Sequence, residues 1–251
     1  MHRRNRHLNP AQAGAQIALD ARYITGQADN TTLQTWTSRS VASLNAAQAT
    51  SGQRPTYRNP SINGQPALVF DGSDDNMEFS GDALALTNGA SSITALMVCQ
   101  NTGAGDSLQY GYFTSNGLVS TSNRFSSRLV DGSIQRVTGS FRSVDSDTNV
   151  VTANAGSPAN PCIVSIAANY SGNVFSSGVN GATATTVSPS PAAGLSPATN
   201  SVNTRIGAAN STTGRLVGKV AMLFVMKPSP STSLMKRIRH HMAFSYKIAS
   251  Q

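Results

Sequence analysis

The densest group of residues able to hold a cation or move a proton is Asp71, Asp74, Asp75 and Glu78. A hard cation such as Ca²⁺ takes roughly six to eight oxygens from carboxylates, amides and carbonyls. Asp71, Asp74 and Asp75 could begin such a set, with Asn76 and nearby carbonyls adding to it. Their spacing does not follow the helix–loop–helix calcium loop, with its alternating ligands and terminal Glu. The alternative is a polar turn closing the apolar run Ala67-Leu68-Val69-Phe70. Retaining glycoside hydrolysis requires two carboxylates about 5 Å apart, one with a raised pKa. Such pairs are commonly Glu, and Glu78 is the sole Glu of the chain. The four His are His2, His7, His240 and His241, all at the chain ends. No Ser-His-Asp set or nucleophile-elbow pattern goes with them. Gly103-Ala104-Gly105 lacks the third Gly and the following helix of a phosphate-cradling loop. These absences lead to the expectation of a non-enzymatic chain, with no catalytic residue, cofactor or assigned metal ligand.

Binding chemistry is better represented. Tyr110, Tyr112 and Phe113 form an aromatic knot beside Gln109 and Asn116. Tyr110, Tyr112 and Asn116 are the candidates for stacking on and hydrogen-bonding to a sugar. The same pattern also suits a half-buried strand. Residues 1–12 read as a basic arm, in which Arg3, Arg4 and Arg6 can form charge-assisted hydrogen bonds to an acidic partner. The whole chain of 251 residues carries a net charge of +8, with 19 Lys and Arg against 11 Asp and Glu. That balance permits a nucleic acid, an anionic sugar or an acidic protein as partner and does not choose among them. No recognition motif or aromatic-interleaved basic stripe supports nucleic acid. No apolar run approaches the ~18 residues of a membrane span. The basic N-terminus is not followed by the apolar core of a secretory signal.

The elements that must position these residues are mostly strands. Charged residues are 12% of the chain, while 57 Ser and Thr, 21 Gly and 11 Pro indicate many turns and short strands. Residues 16–20 read as a short strand with Ile17 and Leu19 on one face. The runs 92–99, 161–168 and 217–226 are nearly continuous in apolar residues, so both faces of each should be covered. They imply two stacked sheets, or a sheet with a layer on each side. Between them, Asn63-Gly64, Asp71-Gly72 and Asn180-Gly181 are tight-turn signals. The spacing of such signals predicts an antiparallel all-β domain. One helix is expected over 232–248, after the Pro228-Ser229-Pro230 stop, with Leu234, Ile238, His241 or Met242, and Ser245 or Tyr246 on the face toward the sandwich. Lys236, Arg237, Arg239 and His240 then form a solvated face or a basic docking surface. Cys99 and Cys162 fall in apolar strands and read as two buried free thiols, and Trp36 reads as core.

Several segments occur in an order that resembles the concanavalin A-like, laminin-G-like jelly-roll domains of bacteriophage and bacterial surface proteins. They are Leu19-Asp20-Ala21, Trp36, Arg54-Pro55-Thr56-Tyr57, the stretch from Asn63-Gly64-Gln65-Pro66 to Phe70-Asp71-Gly72, Ile206-Gly207-Ala208, and Leu216 to Ala221 with the closing helix. A usual Trp-x-Asp-x-Ser-Gly stretch reads Trp36-Thr37-Ser38-Arg39-Ser40, with Ser38 in the Asp place. The resemblance implies an all-β, two-sheet antiparallel jelly-roll sandwich over residues 13–251 with a C-terminal helix. It further implies a structural protein of a phage virion, made in the bacterial cytoplasm. Such a protein would decorate the capsid or form part of a head or tail fibre. It would be a homo-oligomer held to other virion subunits by its arm. A carbohydrate-binding module for attachment to host or environmental glycans is the other expectation.

Overall fold

A computed structural model describes residues 8–9, 13–79, 90–103, 109–115, 125–130, 136–141, 151–154, 161–172, 174–182, 185–187, 204–208 and 215–249. Every strand pairing among them is antiparallel, and the strands form two sheets. Sheet I contains β1 (Ala15–Asp20), β2 (Thr31–Thr32), β5 (Thr56–Ile62), β6 (Gln65–Asp71), β8 (Ser92–Asn101), β13 (Cys162–Asn169), β14 (Val174–Val179), β15 (Thr185–Val187) and β17 (Val217–Met226). Sheet II contains β3 (Thr35–Trp36), β4 (Ala46–Ala47), β7 (Met77–Phe79), β9 (Gln109–Ser115), β10 (Phe125–Val130), β11 (Arg136–Phe141), β12 (Val151–Asn154) and β16 (Arg205–Ile206). One α-helix among the described residues, α1 (Thr232–Tyr246), follows. The chain is thus the all-β, two-sheet antiparallel sandwich with a C-terminal helix that its sequence implies.

The nearly continuous apolar strands are explained by two separate cores. In β8, Ile93, Ala95, Met97 and Cys99 point into the core between the sheets, with Trp36, Met77, Phe79, Phe125 and Ile206 of sheet II. Leu96 and Val98 point the other way, into a second core with Ile238, Met242, Ala243 and Tyr246 of α1. Successive side chains alternate between faces, so a strand covered on both sides has no polar positions to spare. β17 follows the same logic through a bulge at Ala221. One edge of β17 pairs with β8; the other is shared by β6 over Val217–Val220 and by β1 over Met222–Met226. Sheet I is therefore the middle layer of three.

Local sequence fixes the connections. Asn63 and Gly64 adopt φ of 49° and 81°, the left-handed pair that a two-residue hairpin between β5 and β6 requires. The Asn63 side chain also donates to the carbonyls of Tyr246 (2.9 Å) and Lys247 (3.2 Å), capping the end of α1. Gly207 sits at φ +83°, and a Cβ there would come within 2.2 Å of the Phe70 ring. The helix ends at Tyr246, two residues before the expected 248, because Lys247 turns left-handed at φ 50° and closes the last turn onto Ala243. Its start is as expected, with the Ser231 hydroxyl accepting from the Leu234 amide.

Ser38 is structural. Its hydroxyl accepts from the Ala18 amide (3.1 Å) and meets Ser40 Oγ (2.9 Å), and Ser40 in turn donates to the Gln16 carbonyl (2.7 Å). The segment thus seals the edge of β1. Trp36 is core, as expected. Cys99 and Cys162 are both buried, and they lie directly opposite one another across β8 and β13 with sulfurs 4.0 Å apart and no disulfide between them.

Candidate functional site

The acidic turn is compact. One carboxylate oxygen from each of Asp71, Asp74 and Asp75 lies within 4.8 Å of the others, the only such group among the described residues. The loop holds itself: Asp71 Oδ1 accepts from the Ser73 amide (2.8 Å) and Asp75 Oδ2 from the Asp71 amide (3.0 Å). Burial, with the neighbouring Asp71 and Asp74 charges, pushes the Asp75 carboxyl up to about 6. Glu78 is engaged elsewhere, accepting a 2.6 Å ion pair from Arg205 across β7 and β16.

A different place offers room for a ligand. A cleft of about 350 Å³ opens between α1 and the outer face of sheet I, within the ~300–1,000 Å³ of small-molecule sites. Strand periodicity builds its floor. Thr94 of β8, Ala167 and Asn169 of β13, and Val174 and Ser176 of β14 lie outside the inter-sheet core and line the cleft. Helical periodicity builds its wall. Thr232, Met235, Lys236 and Arg239 recur at three- and four-residue steps and form one stripe beside the docked face. The rim is fixed by Ser229, whose amide donates to Ser92 Oγ (3.0 Å) and whose Oγ accepts from Thr94 (2.9 Å). Asn169 Oδ1 is taken by the Gly172 amide (2.8 Å) and the Ser171 hydroxyl (2.9 Å), which directs its amide oxygen into the turn.

The electrostatics are one-sided. Lys236 and Arg239 are the charged residues of the described lining, and no described carboxylate joins them. Burial lowers the pKa of the Arg239 guanidinium, which nonetheless stays charged. Its Nε is shut off from solvent and has no hydrogen-bond partner among the described residues. The described carboxylates are occupied elsewhere. Asp20, Asp29 and Glu78 pair with Arg22, Arg58 and Arg205, and Asp71, Asp74 and Asp75 form the acidic turn. That turn lies at the start of β17 and the cleft at its end, roughly 30 Å away along a ten-residue strand. The arrangement can hold a polar ligand through hydroxyls and an amide, rest it on Ala167, Val174 and Met235, and meet negative charge with two cations.

Among the residues singled out by sequence, Asp71, Asp74 and Asp75 are brought together. Tyr110 and Tyr112 lie on β9, in sheet II, whereas the cleft is on the far face of sheet I. Asn116 and the arm residues Arg3, Arg4 and Arg6 lie outside the described residues. Sequence reasoning did not find the cleft. It grouped Lys236 and Arg239 with Arg237 and His240 on one polar face. The available signal was the step from Thr232 to Met235 and Lys236 to Arg239, which follows the margin of the apolar stripe rather than its opposite side.

At the sequence level no family model and no curated protein matches the chain. Solved structures do match in fold. An arabinofuranosidase complexed with arabinofuranosyl-alpha-1,2-xylobiose aligns at a TM-score of 0.65 and 10% identity, over 96% of this chain and 65% of that one. A Trypanosoma rangeli sialidase aligns at 0.58 and 11%, over 90% of this chain and 32% of that one. A structure described by the dependence of botulinum neurotoxin type C cell entry on two ganglioside molecules aligns at 0.56 and 11%, over 90% and 51%. The chain thus spans about a third to two thirds of these proteins. At such identities the likeness is one of β-sandwich fold.

The likeness corrects one expectation. Sialidases and an arabinofuranosidase are enzymes, so the reading of this chain as non-enzymatic does not stand on its fold. None of the three neighbours described above is a virion component, and the link to phage particles gains no support from them.

Proposed function

We propose that this chain is a carbohydrate-binding β-sandwich module that takes its glycan in the cleft between α1 and sheet I and serves attachment to a glycan-bearing surface. The cleft carries the reading: a floor of alternating hydroxyl, amide and small apolar groups, walled by a polar helix stripe and of small-ligand size. Sugars present hydroxyls on their edges and C–H groups on their faces, and a mixed polar and apolar lining meets both. Support comes from the solved structures sharing the sandwich, whose descriptions include a bound arabinofuranosyl-xylobiose, sialic acid and an interaction with gangliosides.

The test is a glycan array followed by titration of the best ligand, with Ser176→Phe to fill the cleft from the sheet. Saturable binding by the folded chain, lost in the Phe variant while its circular dichroism is retained, is the expected result. A flat array with folded protein, or binding untouched by Ser176→Phe, would remove the cleft from consideration.

A further inference from the structure

The placement of the cations narrows the class of sugar. Lys236 and Arg239 are one helical turn apart on α1, three and four residues being the steps that bring side chains together. Among the described residues, the cleft they line holds no acidic side chain, and the terminal nitrogens of Arg239 have no ion-pair partner. A guanidinium held partly out of water without an acceptor is costly to the empty protein, and a ligand carboxylate would relieve that cost. Thr232 begins the helix in the same cleft, and the first turn of α1 carries no acidic side chain, so the helix dipole adds positive potential there.

We propose that the cleft is selective for an acidic sugar, its carboxylate held by Arg239 and Lys236 while the ring lies over the Ser176 hydroxyl. The proposal rests on the carbohydrate reading of this cleft and deepens it. A nucleic acid would also satisfy the cations. The described lining, however, has no aromatic side chain on which a base could stack, and the two cations form no backbone-tracking stripe.

The experiment titrates the full chain with trigalacturonate and 3′-sialyllactose. It compares them with carboxyl-reduced trigalacturonate and lactose, and with a short single-stranded oligonucleotide. The expected result is tighter binding of at least one acidic sugar than of its neutral counterpart. Arg239→Gln should weaken that binding about tenfold or more, the scale of one charge-assisted hydrogen bond in a partly desolvated site. Lys236→Gln should weaken it less. Arg239→Lys should restore part of the loss, which a merely structural role for Arg239 would not give. Arg237→Gln, an exposed neighbour outside the cleft, should leave binding unchanged.

The failures are distinguishable. Neutral and acidic sugars binding equally in the cleft would overturn the acidic selectivity and leave the carbohydrate reading standing. Acidic binding that is indifferent to Arg239→Gln, or as sensitive to Arg237→Gln, would overturn it as a property of this site. No sugar binding at all would remove both readings. Tighter binding of the oligonucleotide through the same two residues would replace the sugar with a nucleic acid.

Discussion

At the scale of single residues, Asp75 is the clearest case of function-like chemistry serving the fold. Its carboxylate is buried beside Asp71 and Asp74, and its ordinary value of 3.8 is raised to about 6. A carboxyl whose folded pKa is raised binds its proton more tightly in the folded state than in the unfolded one. Folding stability therefore falls as pH rises from about 4 through about 6, the opposite of the usual ion-paired Asp. Asp75→Asn keeps an oxygen to accept the Asp71 amide and removes the charge. Its stability advantage over the parent should be near zero at pH 4 and reach the order of 2 kcal/mol at pH 7. Urea unfolding at both values measures it, and an advantage that does not change with pH would contradict the assignment. The spacing of Asp71, Asp74 and Asp75 made this cluster legible in the sequence, because three acids within five residues must share one turn. The contribution of Arg239 was not legible. Its position on the helix margin gains meaning only from the strand residues opposite, which come from three separate stretches of chain.

At the scale of elements, α1 is tied down at its C-terminal end by polar contacts from distant strands. Tyr246 Oη reaches Asp20 Oδ1 (3.2 Å) and the Ala221 carbonyl (3.0 Å), sharing one proton between them. Arg22 holds the same Asp20 with Nε (3.0 Å) and a terminal nitrogen (2.6 Å), and its guanidinium lies 5.5 Å from the Tyr246 ring centre. Burial and the adjacent Asp20 push the Tyr246 phenol above its ordinary pKa, so it stays a donor at any physiological pH. Tyr246→Phe should cost about 1–2 kcal/mol of stability with no change in fold, since it leaves a buried acceptor short of one donor. Thermal unfolding read by circular dichroism checks this, and a loss well under 0.5 kcal/mol would mean that Arg22 alone satisfies Asp20. The elements themselves were largely readable. The run 217–226 coincides with β17, and 92–99 falls inside β8, because covering on both faces leaves an uninterrupted apolar signature. Pairing was not readable. Cys99 and Cys162 are 63 residues apart in sequence and face each other in the sheet, and no local rule specifies that β13 lies beside β8.

At the scale of the whole molecule, the order of layers decides what each layer does for the others. Sheet I has helix-facing apolar residues Leu96, Val98, Ile163, Met222, Phe224 and Met226, all buried. Removing residues 231–251 would uncover this face, a contiguous apolar surface of the kind soluble proteins rarely expose. The truncated chain is expected to aggregate or to bind the dye ANS strongly during purification. A soluble, dye-negative truncation product would show that the sandwich of two sheets is self-sufficient. Composition and residue spacing together foretold sheets and a docked helix. They did not foretell that one helix supplies both the lid of a core and the wall of a cleft.

That double duty couples two equilibria. The helix has no backbone ladder to the sheet and is held to it by side chains, whereas the floor of the cleft belongs to a nine-stranded sheet. A molecule lodged between them is bound only while the helix is seated. By linkage, each such occupant must favour the seated state, by about 2.7 kcal/mol at a hundredfold excess over its dissociation constant. The slow opening of α1 seen by amide hydrogen exchange would then double as a report on what the protein has captured.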